Sequence, residues 1–123
     1  QKGNCAVGNR MGNFSTVSSS AYINLPSSMQ FKFQYIANDT KSMQPPLAIG
    51  NRVITFVPNS QDDVKVCDII GYTSPERSAM HRVIKIGTDE KGTYYVTKGD
   101  NNIYEDAPIR FEDIKDIVVA IIY

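Results

Sequence analysis

The sequence predicts a single, mostly-β domain built from short strands with little helix. Apolar residues either alternate with polar ones or form short β-branched runs, and both patterns are typical of strands. Turn-forming residues separate these runs at short intervals, and the chain has no long helical pattern and no repeats. A chain of 123 residues is the size of one domain and can bury a core of its own. These observations together indicate the fold class.

The N-terminal region differs in composition from the rest. The first 20 residues are rich in Gly, Asn and Ser, which is typical of loops. We therefore assign residues 1–25 to an N-terminal arm of unknown role and residues 26–123 to the domain. The domain opens with the stretch QFKFQYIA (30–37), in which polar and apolar residues alternate. That alternation predicts a half-buried strand whose apolar face is formed by Phe31, Phe33 and Tyr35.

Further strands and one helical turn follow along the chain. β-Branched and aromatic runs predict strands over residues 52–57, 64–72, 82–86, 93–98 and 117–122. The stretch 109–116 is expected to hold one helical turn. The sequence GTDEKG predicts a hairpin whose turn is centred near Asp89–Glu90. Antiparallel register would then place His81 roughly opposite Lys98.

Composition argues against several classes of function. Thirteen basic residues balance thirteen acidic ones, so the chain has no global field to attract nucleic acid or an anionic membrane surface. One histidine and two distant cysteines give no zinc spacing, and we expect no metal or other cofactor. No apolar run approaches the ~20 residues that span a bilayer. The chain has neither a starting Met nor a signal peptide, so we expect it to be a soluble part of a longer protein.

The two cysteines, Cys5 and Cys67, allow two interpretations. They form a disulfide if the protein is exported, or stay as buried thiols if it is not. A disulfide would pin the N-terminal arm to the sheet and contribute roughly 4 kcal/mol in the chain-entropy model.

The only histidine, His81, stands at the mouth of an apolar strand. The loop after Lys98 would leave the sheet beside it, which brings Asp100, and further along Glu105 and Asp106, within reach. A carboxylate beside an imidazole fixes its tautomer and raises its basicity, as a general base requires. A structural histidine that caps the strand and binds a turn fits the same pattern.

Ser42 is the candidate nucleophile. It follows the first strand and a polar bend, and it precedes Met43-Gln44-Pro45-Pro46. The two prolines restrict the backbone and are expected to force an extended exit, which would hold the hydroxyl in one place. A hydroxyl fixed near a base is the arrangement that nucleophilic catalysis needs. An ordinary turn serine at a strand end fits these residues as well.

Four stretches together resemble the type I signal peptidase family. SMQPPLAIGNRVI (42–54) is similar to the Ser-Met-x-Pro segment of that family with its following glycine and strand. CDIIGY (67–72) resembles the next strand of the family. HRVIKI (81–86) resembles its histidine segment, and TKGDNNIYED (97–106) resembles the segment that carries its final acid. The order and spacing of all four agree. The histidine, where bacterial members carry lysine, selects the archaeal and endoplasmic-reticulum branch.

The resemblance implies a role for each candidate residue. Ser42 would be the nucleophile, His81 its general base and Asp106 the acid that supports the histidine. Asp100 matches an acid of the same loop whose role is more structural. Thr40 would join the backbone N–H of Ser42 in binding the oxyanion. The implied fold is the mostly-β signal-peptidase fold, which is shared with the LexA-like self-cleaving repressors.

The chain departs from the family pattern near the candidate site. Lys41 stands where a small residue, usually Gly, is common in the family. Gly50-Asn51 and Cys67-Asp68 stand where Gly-Asp pairs are usual. These differences concern the oxyanion loop and two turns, and they leave the three catalytic residue types in place.

The implied activity is that of a membrane-associated serine endopeptidase that removes signal peptides from exported preproteins. Its substrates would lie extended along a strand edge, with small residues just before the cut. A membrane segment outside this sequence would hold the domain on the extracytoplasmic or lumenal side. Two alternatives stay open. One is a LexA-like self-cleaving protease, which the histidine base and the lack of a DNA-binding segment weaken. The other is a non-catalytic extracytoplasmic β-domain.

Overall fold

The computed structural model describes residues 31–36 and 41–122. Its strands form one antiparallel sheet in the order β1-β2-β7-β3-β4-β5-β6. Within the described ranges the only helical elements are two 3-10 turns of three residues each, so the predicted mostly-β fold with little helix is confirmed. The strands are β1 (Phe31–Tyr35), β2 (Arg52–Phe56), β3 (Ile69–Thr73), β4 (Ser78–Asp89), β5 (Gly92–Lys98), β6 (Ile109–Arg110) and β7 (Ile114–Ile122).

The core lies on both sides of β7, which runs between β2 and β3 in the sheet. The sequence of β7, IKDIVVAII, is nearly continuous in apolar residues because both of its faces are covered. One core cluster includes Met43 and Leu47, and it anchors the segment that carries Ser42. The second cluster includes Tyr72, whose ring packs edge-on against His81 with 6.4 Å between ring centres. The core therefore supports both candidate catalytic residues.

β3 begins later than predicted, at Ile69 instead of at residue 64. Cys67 has φ +82, a left-handed conformation that strands do not adopt. The backbone N–H of Lys65 donates to the Asp68 carboxylate at 2.8 Å, which closes a turn before the strand. β-Branched composition predicted a strand here, and local turn hydrogen bonds overrode it. The helical turn predicted within 109–116 is present as the 3-10 turn Phe111–Asp113.

The β4–β5 hairpin turns one residue later than predicted. Asp89 pairs with Gly92, whose φ of +112 suits a residue without a Cβ. A bulge further along β4 then shifts the register by one residue. As a result Lys98 lies opposite Arg82, and the predicted pairing of Lys98 with His81 was wrong by one position.

The aromatic face of β1 is not buried as predicted. Phe31 packs against the core, but Phe33 is 69% exposed and Tyr35 is 64% exposed. Gln34 is the inward residue instead, and its amide donates to Asp116 of β7. Alternation fixes which side chains share a face of a strand, but it does not decide which face the rest of the molecule covers.

Some predictions concern residues outside the described ranges. These are the N-terminal arm (1–25), Cys5 and Thr40. Cys67 is disulfide-bonded, and its predicted pairing with Cys5 stays a prediction. The boundary between the arm and the domain also stays a prediction.

Candidate active site

Ser42 lies in a turn over residues 42–46, directly after Lys41. The backbone N–H of Leu47 donates to the Met43 carbonyl at 2.9 Å, and both side chains are buried. The expectation of an extended exit from Ser42 was therefore wrong, because the proline pair sits within a closed turn. Lys41 has φ +63, a conformation that glycine adopts at lower cost.

The loop after β5 braces the backbone of Ser42. The backbone N–H of Asn101 donates to the Ser42 carbonyl at 2.8 Å, and the Asn101 side-chain amide donates to the Lys41 carbonyl at 3.1 Å. A Cβ at Gly99 would lie 2.6 Å from the Ser42 carbonyl oxygen. This close approach of two backbones requires a residue without a side chain, so Gly99 fixes how near the loop comes to the serine.

His81 links Ser42 to a carboxylate. Its Nε2 lies 3.0 Å from Ser42 Oγ, and its Nδ1 lies 2.6 Å from Asp106 Oδ2. The imidazole is buried on β4. Because an ionised carboxylate only accepts hydrogen bonds, Nδ1 carries the proton and donates to Asp106. Nε2 is then free to accept the proton of the Ser42 hydroxyl, which is the tautomer that a general base needs.

Asp106 is held by several donors besides His81. Thr97 Oγ1 donates to Asp106 Oδ2 at 2.8 Å, and the Tyr72 hydroxyl donates to the same oxygen at 3.1 Å. Arg77 Nη1 donates to the other oxygen, Oδ1, at 2.6 Å. The backbone N–H of Asp106 donates to the Thr97 carbonyl at 2.8 Å. These contacts fix both the position and the rotation of the carboxylate.

The surroundings of Asp106 keep it ionised. Burial raises the pKa of the Asp106 carboxyl. Hydrogen bonds from His81 and Thr97 and the charges of His81 and Arg77 lower it by a larger amount, so the pKa of Asp106 lies below its ordinary value. Burial and the nearby Asp106 charge raise the pKa of the Tyr72 hydroxyl, and the opposing hydrogen bond from Thr97 and charge of Arg77 do not cancel this effect. Tyr72 therefore remains a neutral hydroxyl donor.

Asp100, the second predicted acid, has a different partner. Its two carboxylate oxygens accept from Arg82 Nε at 2.9 Å and Arg82 Nη2 at 2.8 Å. Arg82 is 2% exposed and also donates to the Cys67 carbonyl at 2.9 Å. The backbone N–H of Asp100 points at Met43 Sδ, 3.3 Å away. Asp100, which is half-buried, thus forms a bidentate ion pair with a buried guanidinium in the loop that braces Ser42.

A groove of about 620 Å³ passes over Ser42 and His81. Gln34 and Tyr35 of β1 and the following Ile36 line one part of it, and residues 77–81 of the β3–β4 region line another. Asp116 also lines the groove. Burial raises the pKa of its carboxyl, against the opposing hydrogen bond from Gln34 and charge of Lys32. With a volume of about 620 Å³, the groove has room for part of an extended chain beside the serine.

Sequence reasoning missed three members of this cluster, Tyr72, Arg77 and Thr97. Nothing in their local sequence marks them, because they reach Asp106 only through the pairing of β3, β4 and β5. Arg82 gave a usable signal, since an arginine inside an apolar strand usually needs a buried carboxylate partner.

Across residues 31–36 and 41–122, no group of three His, Cys, Asp or Glu side chains could hold a metal ion. In the same ranges no helix is long and apolar enough to cross a membrane.

Fold and site together define a mostly antiparallel β domain whose groove is lined by a serine and a histidine, with the histidine hydrogen-bonded in turn to a buried aspartate. The chain is similar to the signal peptidase complex catalytic subunit sec11 of Schizosaccharomyces pombe, with 42% identity over 45 residues. That match suggests the signal peptidase family. It covers 35% of this chain and 24% of the fission-yeast protein, so the matched part is about a quarter of that relative. No family model and no solved structure matches the chain.

Proposed function

We propose that this domain is a serine endopeptidase that cleaves signal peptides from preproteins. The observation that carries the proposal is the 3.0 Å contact between Ser42 Oγ and His81 Nε2, with Asp106 on the opposite ring nitrogen. This distance supports catalysis over a non-catalytic β-domain, because a nucleophile and its base must lie within hydrogen-bond reach. The similarity to a signal peptidase catalytic subunit supports the substrate class.

Acylation would use the three residues as one unit. Ser42 Oγ attacks the scissile carbonyl carbon while its proton passes to His81 Nε2. Asp106 stabilises the imidazolium that results. The imidazolium then gives its proton to the departing amine nitrogen as the C–N bond breaks, and the substrate's acyl group stays on Ser42 as an ester.

Deacylation reverses these proton transfers. A water molecule gives a proton to His81 Nε2 as its oxygen attacks the ester carbon. The imidazolium returns a proton to Ser42 Oγ as the acid product leaves. The backbone N–H of Ser42 and the hydroxyl of Thr40 would stabilise the oxyanion in both steps, and Asp100 would have the structural role of fixing the loop.

The substrate would bind in extended form along the groove. β1 lines the groove and lies at the end of the described strand order, where a peptide backbone can add to the sheet. Small residues would fit just before the cut. A membrane segment outside this sequence would place the domain on the extracytoplasmic or lumenal side, where preproteins emerge.

The proposal is tested with the full-length, membrane-inserted protein and a preprotein substrate. Ser42→Ala should abolish cleavage, measured as the appearance of mature product. The matched control is Ser78→Ala, which removes a hydroxyl that lines the same groove but binds Thr73 at 3.0 Å. Normal cleavage by Ser42→Ala would refute the assignment.

A further inference from the structure

Arg77 contacts the same carboxylate as the histidine, but from the solvent side. Its Nη1 lies 2.6 Å from Asp106 Oδ1, while His81 Nδ1 lies 2.6 Å from Oδ2. The Asp106 side chain is 5% exposed and the Arg77 side chain is 49% exposed. Arg77 also lines the groove. The guanidinium therefore lies at the mouth of the groove, between solvent and the buried acid.

The turn between β3 and β4 holds Arg77 in this position. The backbone N–H of Ser74 donates to the Arg77 carbonyl at 2.8 Å, and the backbone N–H of Arg77 lies 3.3 Å from Ser74 Oγ. Pro75, inside the turn, has a restricted φ. The ordered turn reduces the entropy that the long arginine side chain loses on binding Asp106.

The two cations compete for one negative charge. Arg77 is charged at every pH of interest, whereas His81 is charged only when protonated. When His81 takes up a proton, the imidazolium meets a carboxylate that already faces a guanidinium, and the two cations repel each other. We propose that Arg77 is a positioning residue that lowers the proton affinity of His81 through Asp106. The catalytic consequence of this inference rests on the proposed function. The proton affinity of His81 can be measured whether or not the domain is a peptidase.

The consequence is a wider pH range in which His81 can act as a general base. Asp106 alone favours the imidazolium and would leave His81 protonated, and therefore inactive as a base, up to a higher pH. Arg77 offsets part of this effect, so Asp106 can orient the imidazole while favouring its protonated form less strongly.

Other titratable groups around His81 do not take the place of Arg77. Tyr72 of β3 is neutral, and Asp100 in the following loop is paired with Arg82. Lys98 of β5 donates to its neighbouring carbonyl, that of Gly99. The groove also contains Lys41, Lys115 and Asp116. In the part of the chain that the structure describes, Arg77 is the one cation besides His81 that forms an ion pair with Asp106.

The test follows the imidazole directly. His81 is the only histidine, so its ring signals can be titrated by NMR without overlap in the wild type and three variants. Arg77→Gln should raise the titration midpoint of His81 by about 0.5–1 pH unit, since a half-exposed charge is partly screened. Arg77→Lys keeps the charge and should restore most of the wild-type midpoint. Arg110→Gln is the control, because it breaks a comparable ion pair with Asp89, 2.8 Å long, outside the groove.

Cleavage provides the second readout. The acid limb of the Arg77→Gln pH–rate profile should move upward by the same amount, and Arg77→Lys should return it most of the way to the wild-type position. If the imidazole midpoint shifts but the wild type cleaves no preprotein, the Arg77 inference stands and the proposed function fails.

A folded Arg77→Gln variant whose His81 midpoint coincides with that of the wild type would overturn the inference. If Arg77→Gln does not fold, the wild type still decides the question. High salt screens the half-exposed guanidinium more than the buried carboxylate, so the His81 midpoint should rise with ionic strength. A midpoint that falls or stays constant with salt would contradict the inference.

Discussion

Asp100 and Asp106 lie six residues apart in one loop but have opposite environments. Asp106 accepts a hydrogen bond from the imidazole of His81. Both carboxylate oxygens of Asp100 instead accept hydrogen bonds from the buried guanidinium of Arg82. The two partners are neighbours in β4, and successive side chains of a strand point to opposite faces. One dipeptide of β4 therefore binds both acids and separates them.

The difference between the partners determines what each acid can do. A carboxylate paired with a titratable imidazole can take part in proton transfer. A carboxylate paired bidentately with a guanidinium, which never loses its proton, can only hold structure. The Arg82–Asp100 pair acts on Ser42 indirectly, because the neighbouring residue Asn101 binds the Ser42 carbonyl at 2.8 Å.

The largest expected effect comes from Asp106→Asn. The amide cannot stabilise the imidazolium, and it favours the wrong tautomer of His81, so cleavage should fall about 10³–10⁴-fold. Asp100→Asn should cost less than tenfold in the rate per folded molecule. Preprotein cleavage normalised to folded protein measures both, and the reverse ordering would show that the supporting acid is Asp100.

Asp100→Asn should lower the free energy of unfolding more than Asp106→Asn does, which is the reverse of their order in cleavage rate. Asp100→Asn leaves the guanidinium of the 2%-exposed Arg82 without its charged partner, which should cost about 2–4 kcal/mol of unfolding free energy. Chemical denaturation followed by circular dichroism measures this loss. A smaller loss for Asp100→Asn than for Asp106→Asn would contradict the structural role of Asp100.

Gly99→Ala should affect activity through the brace on Ser42. A Cβ there would lie 2.6 Å from the Ser42 carbonyl, so the loop or the serine must move, at a cost of about 1–3 kcal/mol and roughly tenfold in cleavage rate. Gly87→Ala is the matched control, because its Cβ would meet the hydroxyl of Tyr94 at 2.5 Å in the distant hairpin. Equal losses of activity in the two variants would show that the brace has no specific effect.

The smallest effect is a pH dependence of stability. The folded-state pKa of Asp106 is below its ordinary value, so ionised Asp106 contributes stability that is present above about pH 4 and is lost as the pH falls through the folded pKa. The stability gap between wild type and Asp106→Asn should therefore be largest near neutral pH and narrow on acidification. A gap that is constant with pH would show that Asp106 gains nothing from its donors.

The sequence allowed prediction of the parts that depend on local pattern. β2, β5 and the hairpin followed from β-branched runs and turn residues. Ser42 and His81 were singled out by their sequence context, and Asp106 was chosen because the resemblance to the signal peptidase family implies it. The structure brings these three side chains together.

Most of the parts that failed depend on contacts between distant segments. The burial of β1 failed because the inward place belongs to Gln34, whose partner Asp116 lies 82 positions away. The register of His81 failed because the hairpin turns one residue later than predicted, which shifts the partner of Lys98 by two positions along β4, and the bulge in β4 takes back only one of them. Arg77 could not be found because its role depends on a turn that folds back over the loop after β5.

The central claim is that Ser42 and His81 act as one catalytic unit, and a double-mutant cycle tests it most directly. Cleavage rates would be measured for Ser42→Ala, His81→Ala and the double variant, with folding checked by circular dichroism. If the residues act as a unit, each single variant loses at least the roughly 10²–10⁴-fold that general-base catalysis supplies, and the double variant is no slower than Ser42→Ala. If the two losses multiply in the double variant, or if His81→Ala keeps near-normal turnover, the claim is wrong.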